Sequence, residues 1–151
     1  MNRRLVAGAL VVGGALVAMV VGPNGPIGST FWPATELDSE PGAAQLAGLM
    51  GAGIIEALGF GLGLAVLFLG RSLFERVTST SAKATTAQLC GAWLVGSWWL
   101  HSSLHLHFGL QPGPLVFIEW LFHAGSIVAA VLLASAVLTS LPVREPTEAH
   151  K

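Results

Sequence analysis

Four long apolar stretches dominate this chain: Leu5–Val21, Ala44–Leu69, Ala84–Phe108 and Pro114–Leu141. A helix crossing the hydrocarbon core of a bilayer needs about 20 residues, with a range of roughly 17–25. The first stretch sits at the short limit. The other three exceed 20, and the last two are expected to tilt or protrude. None alternates polar and apolar residues with period two, which argues against membrane strands. Charged residues make up only 10% of the 151 positions and apolar residues 53%, against about 25% charged in a soluble domain. In water such a chain would expose too much apolar surface, whereas in lipid that surface meets a matching solvent. The expectation is an all-α, polytopic membrane protein, a four-transmembrane-helix bundle forming one membrane domain over residues 1–151.

Polar segments rich in helix breakers separate the stretches. The connection 22–43 holds Pro23, Pro26, Pro33 and Pro41, and 70–83 is rich in Ser and Thr. The segment 109–113 (GLQPG) reads as a tight turn, because Pro112 and Gly113 stop one helix and allow reversal. Residues 142–151 form a polar tail. Arg3 and Arg4 precede the first stretch as they would in a signal peptide. That stretch is longer than the roughly 7–15 residues of a signal h-region, and no clear small-x-small cleavage site follows it. It is read as a retained helix.

Orientation follows from the cations. All seven, Arg3, Arg4, Arg71, Arg76, Lys83, Arg144 and Lys151, fall in the N-terminus, the second connection or the tail. The first connection carries Glu36, Asp38 and Glu40 instead. Short loops rich in Lys and Arg stay cytoplasmic. The pattern predicts an N-in, C-in protein of the cell membrane, with 22–43 outside and both 70–83 and 142–151 in the cytoplasm. A net charge of −1 gives nucleic-acid binding no electrostatic support. The single cysteine, Cys90, rules out an intrachain disulfide and any multi-cysteine metal site. On the second helix Gly59 and Gly63 form a GxxxG pair with Ala52 on the same stripe, a signal for close helix packing in lipid.

Six ionisable side chains fall inside the expected spans: Glu56, His101, His105, His107, Glu119 and His123. Such groups are expensive in lipid and usually face a bundle interior or a cavity. His101 and His105 are spaced i, i+4 and share a face, as do Glu119 and His123. At 1.5 Å rise per residue, His101 and His105 lie roughly 10 and 5 Å inside the outer end of the third helix, Glu119 and His123 roughly 8 and 13 Å inside the fourth, and Glu56 roughly 18 Å down the second. The GLQPG turn makes the third and fourth helices antiparallel neighbours. Four groups are thus expected to meet in the outer half of the membrane, with Glu56 able to join. His107 points away from His105 and is read as interfacial.

Imidazole and carboxylate are ligands for copper, iron and zinc, and bundle cores hold metals between facing helices. His101, His105, Glu119, His123 and Glu56 form the candidate metal set. Alternatively, His101 and His123 would be axial ligands to a haem b. Either site suits a small membrane subunit in electron transfer or oxidation. The same cluster would serve a proton or cation transporter or channel component, since histidine titrates near neutrality. A third class is a non-catalytic assembly subunit, and structural hydrogen bonding is the plainest role for each residue alone. The little soluble mass suggests other membrane subunits, or further copies of the chain, as partners beside the lipid bilayer. The HxxxH spacing of His101 and His105 is shared with membrane di-iron hydroxylases and desaturases, but those need more histidines, near the cytoplasmic face. Trp98, Trp99 and Trp120 read as an interfacial belt or as walls of a flat cofactor. The length of the first connection suggests a functional loop, with Phe31 and Trp32 dipping back as a lid.

The topology is checked by cysteine labelling in a Cys90→Ala background. Cysteines at Asp38 and Gln111 are expected to react with an impermeant thiol reagent applied to intact cells, and one at Ser79 is not. Labelling at Ser79 would overturn the N-in, C-in orientation.

Overall fold

The computed structural model describes residues 2–33, 42–109 and 111–141, and among these the chain is helical with no strand. The helices are α1 (Arg3–Val21), α2 (Gly28–Phe31), α3 (Ala43–Leu69), α4 (Arg71–Phe74), α5 (Ser81–Gly96), α6 (Trp98–Phe108), α7 (Pro112–Ile118) and α8 (Gly125–Leu138). A π-helical turn, Glu119–Ala124, joins α7 to α8. The acidic residues Glu36, Asp38 and Glu40 and the tail cations Arg144 and Lys151 lie outside the described residues.

Three helical runs are long and apolar enough to cross a membrane: Arg3–Val21, Ala43–Leu69 and Pro112–Leu138. They match the first, second and fourth expected spans and are consistent with a multi-pass protein in a lipid bilayer. The third expected helix, 84–108, is not one helix. It divides at Ser97 into α5 and α6, although the Ser97 N–H still bonds to Trp93 O and the His101 N–H to Ser97 O, at 3.0 Å each. A Gly–Ser pair is a usual place for a helix to bend, and here the pair is Gly96–Ser97.

The helices stand in a row rather than a closed ring. α3 packs against α1 on one side and α5 on the other, and α8 packs on the far side of α5, with no comparable packing of α8 against α1 or α3 among the described residues. The central position of α3 comes from small residues on two of its faces. Ala57, Gly61 and Ala65 are buried, and a Cβ on Gly61 would stand 2.1 Å from Val11 O of α1. Gly59 and Gly63 face α5, where a Cβ on Gly63 would stand 2.6 Å from Gly96 Cα. The GxxxG pair is therefore a true helix contact, while Ala52 on the same stripe is exposed. The second face, at Gly14 and Gly61, has no GxxxG pair, but Ala57, Gly61 and Ala65 repeat small residues at the same spacing.

One end of the row is tied by cations and small polar groups. Arg3 donates to Leu69 O at the end of α3. Gln88, buried on α5, donates to Val66 O (3.2 Å), which also accepts from the Gly70 N–H (2.8 Å), and to Leu67 O (2.7 Å), near the end of α3 where carbonyls run short of helical partners. Arg71 bonds Glu75 (2.7 Å), Thr85 and Ser81. Lys83 reaches Ser79 Oγ (3.2 Å) and Thr139 O (3.1 Å), a cation at the negative end of α8. Every described Lys and Arg lies in or beside this end.

These approaches predict asymmetric tolerance among glycines. Gly61→Val should lower stability by about 1–3 kcal/mol, the usual cost of overpacking. Gly53→Ala, where a Cβ meets nothing within 4 Å, should stay within about 0.5 kcal/mol of wild type. Unfolding in micelles followed by circular dichroism separates the two.

Candidate functional site

At the other end of the row, α6 and α7 reverse through Gly109, the one described residue with a positive φ (56°), and Pro112 opens α7 where no N–H is needed. This hairpin sets the π-turn beside α6, and four of the expected residues meet across it. His101 and His105, one turn apart on α6, bring their Nε2 atoms to 3.1 Å. His105 Nε2 lies 3.9 Å from Glu119 Oε1. The other carboxylate oxygen of Glu119 bonds His123 Nδ1. The His101 and His123 rings close the group with centroids 5.0 Å apart. The order His101, His105, Glu119, His123 is therefore a string of titratable groups made of two hydrogen-bonded pairs 3.9 Å apart.

The string lies on a rim, not in a core. Glu119 and His123 side chains are 47% and 45% exposed, and His105 is 31% exposed. Beneath them sits Phe122, only 1% exposed. Its ring lies 5.3 Å from that of His101 and stacks on Trp93 at 5.5 Å. Trp93 Nε1 donates to Ser126 Oγ at 3.3 Å, linking α5 to α8. Trp98 stands edge-on to His101 at 5.3 Å. An apolar groove of about 280 Å³ runs below, between α3 and the π-turn with α5 as its floor, and Phe60, Trp93, Ser97, Leu100 and Phe122 are among its lining residues.

Glu56 does not join the string. Its carboxylate accepts a 2.6 Å hydrogen bond from Ser102, which lies about 100° round α6 from His101 at 3.6 residues per turn. It fastens α3 to α6. His107 is also apart, as expected: its Nδ1 faces Pro33 O at 2.9 Å, and its ring meets Trp32 at 6.1 Å. The described part of the first connection, residues 22–33, does fold back, but not over the string. Trp32 donates to Val21 O (2.9 Å) and stands edge-on to Trp99 at 6.3 Å, while Phe31 is exposed. The expected lid thus packs on the neighbouring face of α6. The three tryptophans separate too: Trp99 packs against the Ala15, Ala18 and Ala57 core with Phe60, Trp98 touches His101, and Trp120 is 72% exposed.

The geometry sorts the chemistry. Rings on opposite sides of one iron have centroids about 6 Å apart, given metal–nitrogen bonds of about 2 Å and the radius of each ring. At 5.0 Å the His101 and His123 rings are in tilted contact, so the haem arrangement finds no support. Among the described residues no three His, Cys, Asp or Glu side chains are grouped as a metal ion would need. What does suit an ion is the 3.1 Å separation of the two Nε2 atoms, close to the roughly 3.3 Å between two ligand nitrogens at tetrahedral zinc. Phe122, Trp93 and the π-turn gave no sign in the sequence, since two aromatic residues in an apolar run look like any others. Compared with family models, curated proteins and solved structures, the chain matches none.

Replacing Trp32 with Ala should cost about 1–3 kcal/mol, through a lost part-buried hydrogen bond and lost ring packing. The effect is read as a lower thermal midpoint in detergent. An unchanged midpoint would mean that the loop contributes nothing to stability.

Proposed function

We propose that this protein is a four-span, N-in/C-in component of a cell-membrane proton or cation transporter or channel, in which His101, His105, Glu119 and His123 pass protons near the outer face. The observation that carries this reading is the spacing of the string: two hydrogen-bonded pairs, His101–His105 and Glu119–His123, stand 3.9 Å apart, a gap that one bridging water spans. Two imidazole nitrogens at 3.1 Å share one proton, one ring donating and the other accepting. Protonation of His101 is thereby relayed to His105, whose neighbour is the Glu119 carboxylate. Glu119 stands between His105 and His123, so an imidazolium on either side meets an opposite charge. With α5 and α6 counted as one bent span, the described cations gather at one end, as the positive-inside rule requires of the cytoplasmic side. Lipid on the exposed apolar faces, together with other subunits or further copies, would complete the assembly.

A second reading rests on the Nε2 pair alone. His101 and His105 would hold a copper, iron or zinc ion in a membrane metalloprotein, with Glu119 closing in as third ligand and His123 orienting it. Glu56, already engaged by Ser102, would have to release that hydrogen bond to take part. Ligation needs neutral imidazole, so the ion would be lost as pH falls through the histidine range.

Proteoliposomes holding the full chain decide between them. Wild type should dissipate an imposed pH gradient, and both His105→Ala and Glu119→Gln should slow this at least tenfold with circular dichroism unchanged. Stoichiometric metal in wild type, absent from His101→Ala and accompanied by no proton flux, would establish the second reading instead. Neither flux nor metal would overturn both and leave an assembly role.

A further inference from the structure

A second polar site lies at the opposite end of the row. Arg3, Arg4 and Arg76 line a cleft of about 460 Å³ between the start of α1 and the corner where α3 passes into α4. Its remaining walls are mainly small or apolar, with Ala7, Ala65 and Leu73 among them. Nearby cations are occupied by comparison: Arg71 bonds Glu75, Thr85 and Ser81, and Lys83 bonds Ser79 and Thr139. Arg3 spends one hydrogen bond on Leu69 O. The guanidinium groups of Arg4 and Arg76 have no hydrogen-bond or ion-pair partner among the described residues. The acid at this end, Glu75, is already paired with Arg71 at 2.7 Å. Three arginines therefore line one cleft that no described acid lines.

We propose that this cleft binds the phosphate of an anionic phospholipid. Guanidinium matches phosphate geometrically, because its planar fork of N–H donors bonds two oxygens at once. Basic pockets between helices at the cytoplasmic surface suit the anionic lipids of that leaflet. The apolar walls select a lipid over free phosphate. Ala7 and Leu73, beside the arginines in the cleft lining, offer an acyl chain apolar surface to lie against. A small soluble anion would gain nothing from those walls. The site is independent of the histidine string, and the failure of either leaves the other standing.

The full chain, reconstituted in nanodiscs of phosphatidylcholine and phosphatidylglycerol and released for native mass spectrometry, tests this directly. Wild type should retain one phosphatidylglycerol in preference to phosphatidylcholine. Arg4→Gln and Arg76→Gln should each reduce that retention about fivefold, the effect of one cation near an anionic surface. Ala7→Leu, which fills the apolar wall and leaves the charge unchanged, should reduce it as well, and Lys83→Gln should not. Equal retention of the two lipids by wild type, or retention unchanged in both arginine variants, would overturn the proposal. Thermal stabilisation by inorganic phosphate in pure phosphatidylcholine, without preference for phosphatidylglycerol, would assign the cleft to a soluble anion and overturn it equally.

Discussion

The arrangement depends on how closely two backbones can approach α3. Between apolar helices in lipid there is no hydrophobic drive to association, so packing and a few polar contacts must supply it. α3 answers with small residues on two faces: Ala57, Gly61 and Ala65 against α1, and Gly59 and Gly63 against α5. Removing Cβ atoms lets α3 sit between two partners at once. The polar fastenings take their places because of these crossings. Gln88 reaches the terminal carbonyls of α3, Arg3 reaches Leu69, and Glu56 meets Ser102. Removal of one partner would leave a polar group without satisfaction in a poor dielectric, where such groups are expensive.

A row differs from a ring in what it leaves open. In a closed four-helix bundle the polar groups converge on a shared axis. Here the titratable string is formed between neighbours, α6 and the π-turn, and remains half exposed. A pairwise site of this kind suits contact with water, headgroups or a second subunit better than a sealed cofactor pocket. The apolar groove beneath it, between α3 and the π-turn, follows from the same geometry, since α8 does not reach across to close against α3.

Much of this was legible in the residues. Apolar run lengths placed the first, second and fourth long helices to within a few residues. The i, i+4 spacings and the GLQPG turn brought His101, His105, Glu119 and His123 together. The misses have physical causes. Periodicity assumes a straight helix, so it missed the break at Ser97, where Gly96 crosses Gly63 with no side chain between them. Depth counted along a helix axis cannot tell which neighbour a side chain faces, so Glu56 was grouped with the string although it points to Ser102. The aromatic contacts of Phe122 and Trp93 arise from tertiary packing, which leaves no local signal. Of the two residues expected to form a lid, Phe31 is exposed and Trp32 packs instead on Val21 and Trp99, partners that the length of a loop does not indicate.

The π-turn has a consequence of phase. Its i→i+5 hydrogen bonding accommodates one residue more than an α-helical turn would, and each residue rotates an α-helix by about 100°. Glu119, at its start, is in phase with α7 and faces α6; Ser126, just beyond its end, is in phase with α8 and faces Trp93 of α5. The extra residue is what lets one continuous rod address both neighbours. Shortening the turn by a single residue would swing the later side chains out of step with the earlier ones. The chemistry at one end and the packing at the other thus share a single setting, like two keys cut on the same shaft.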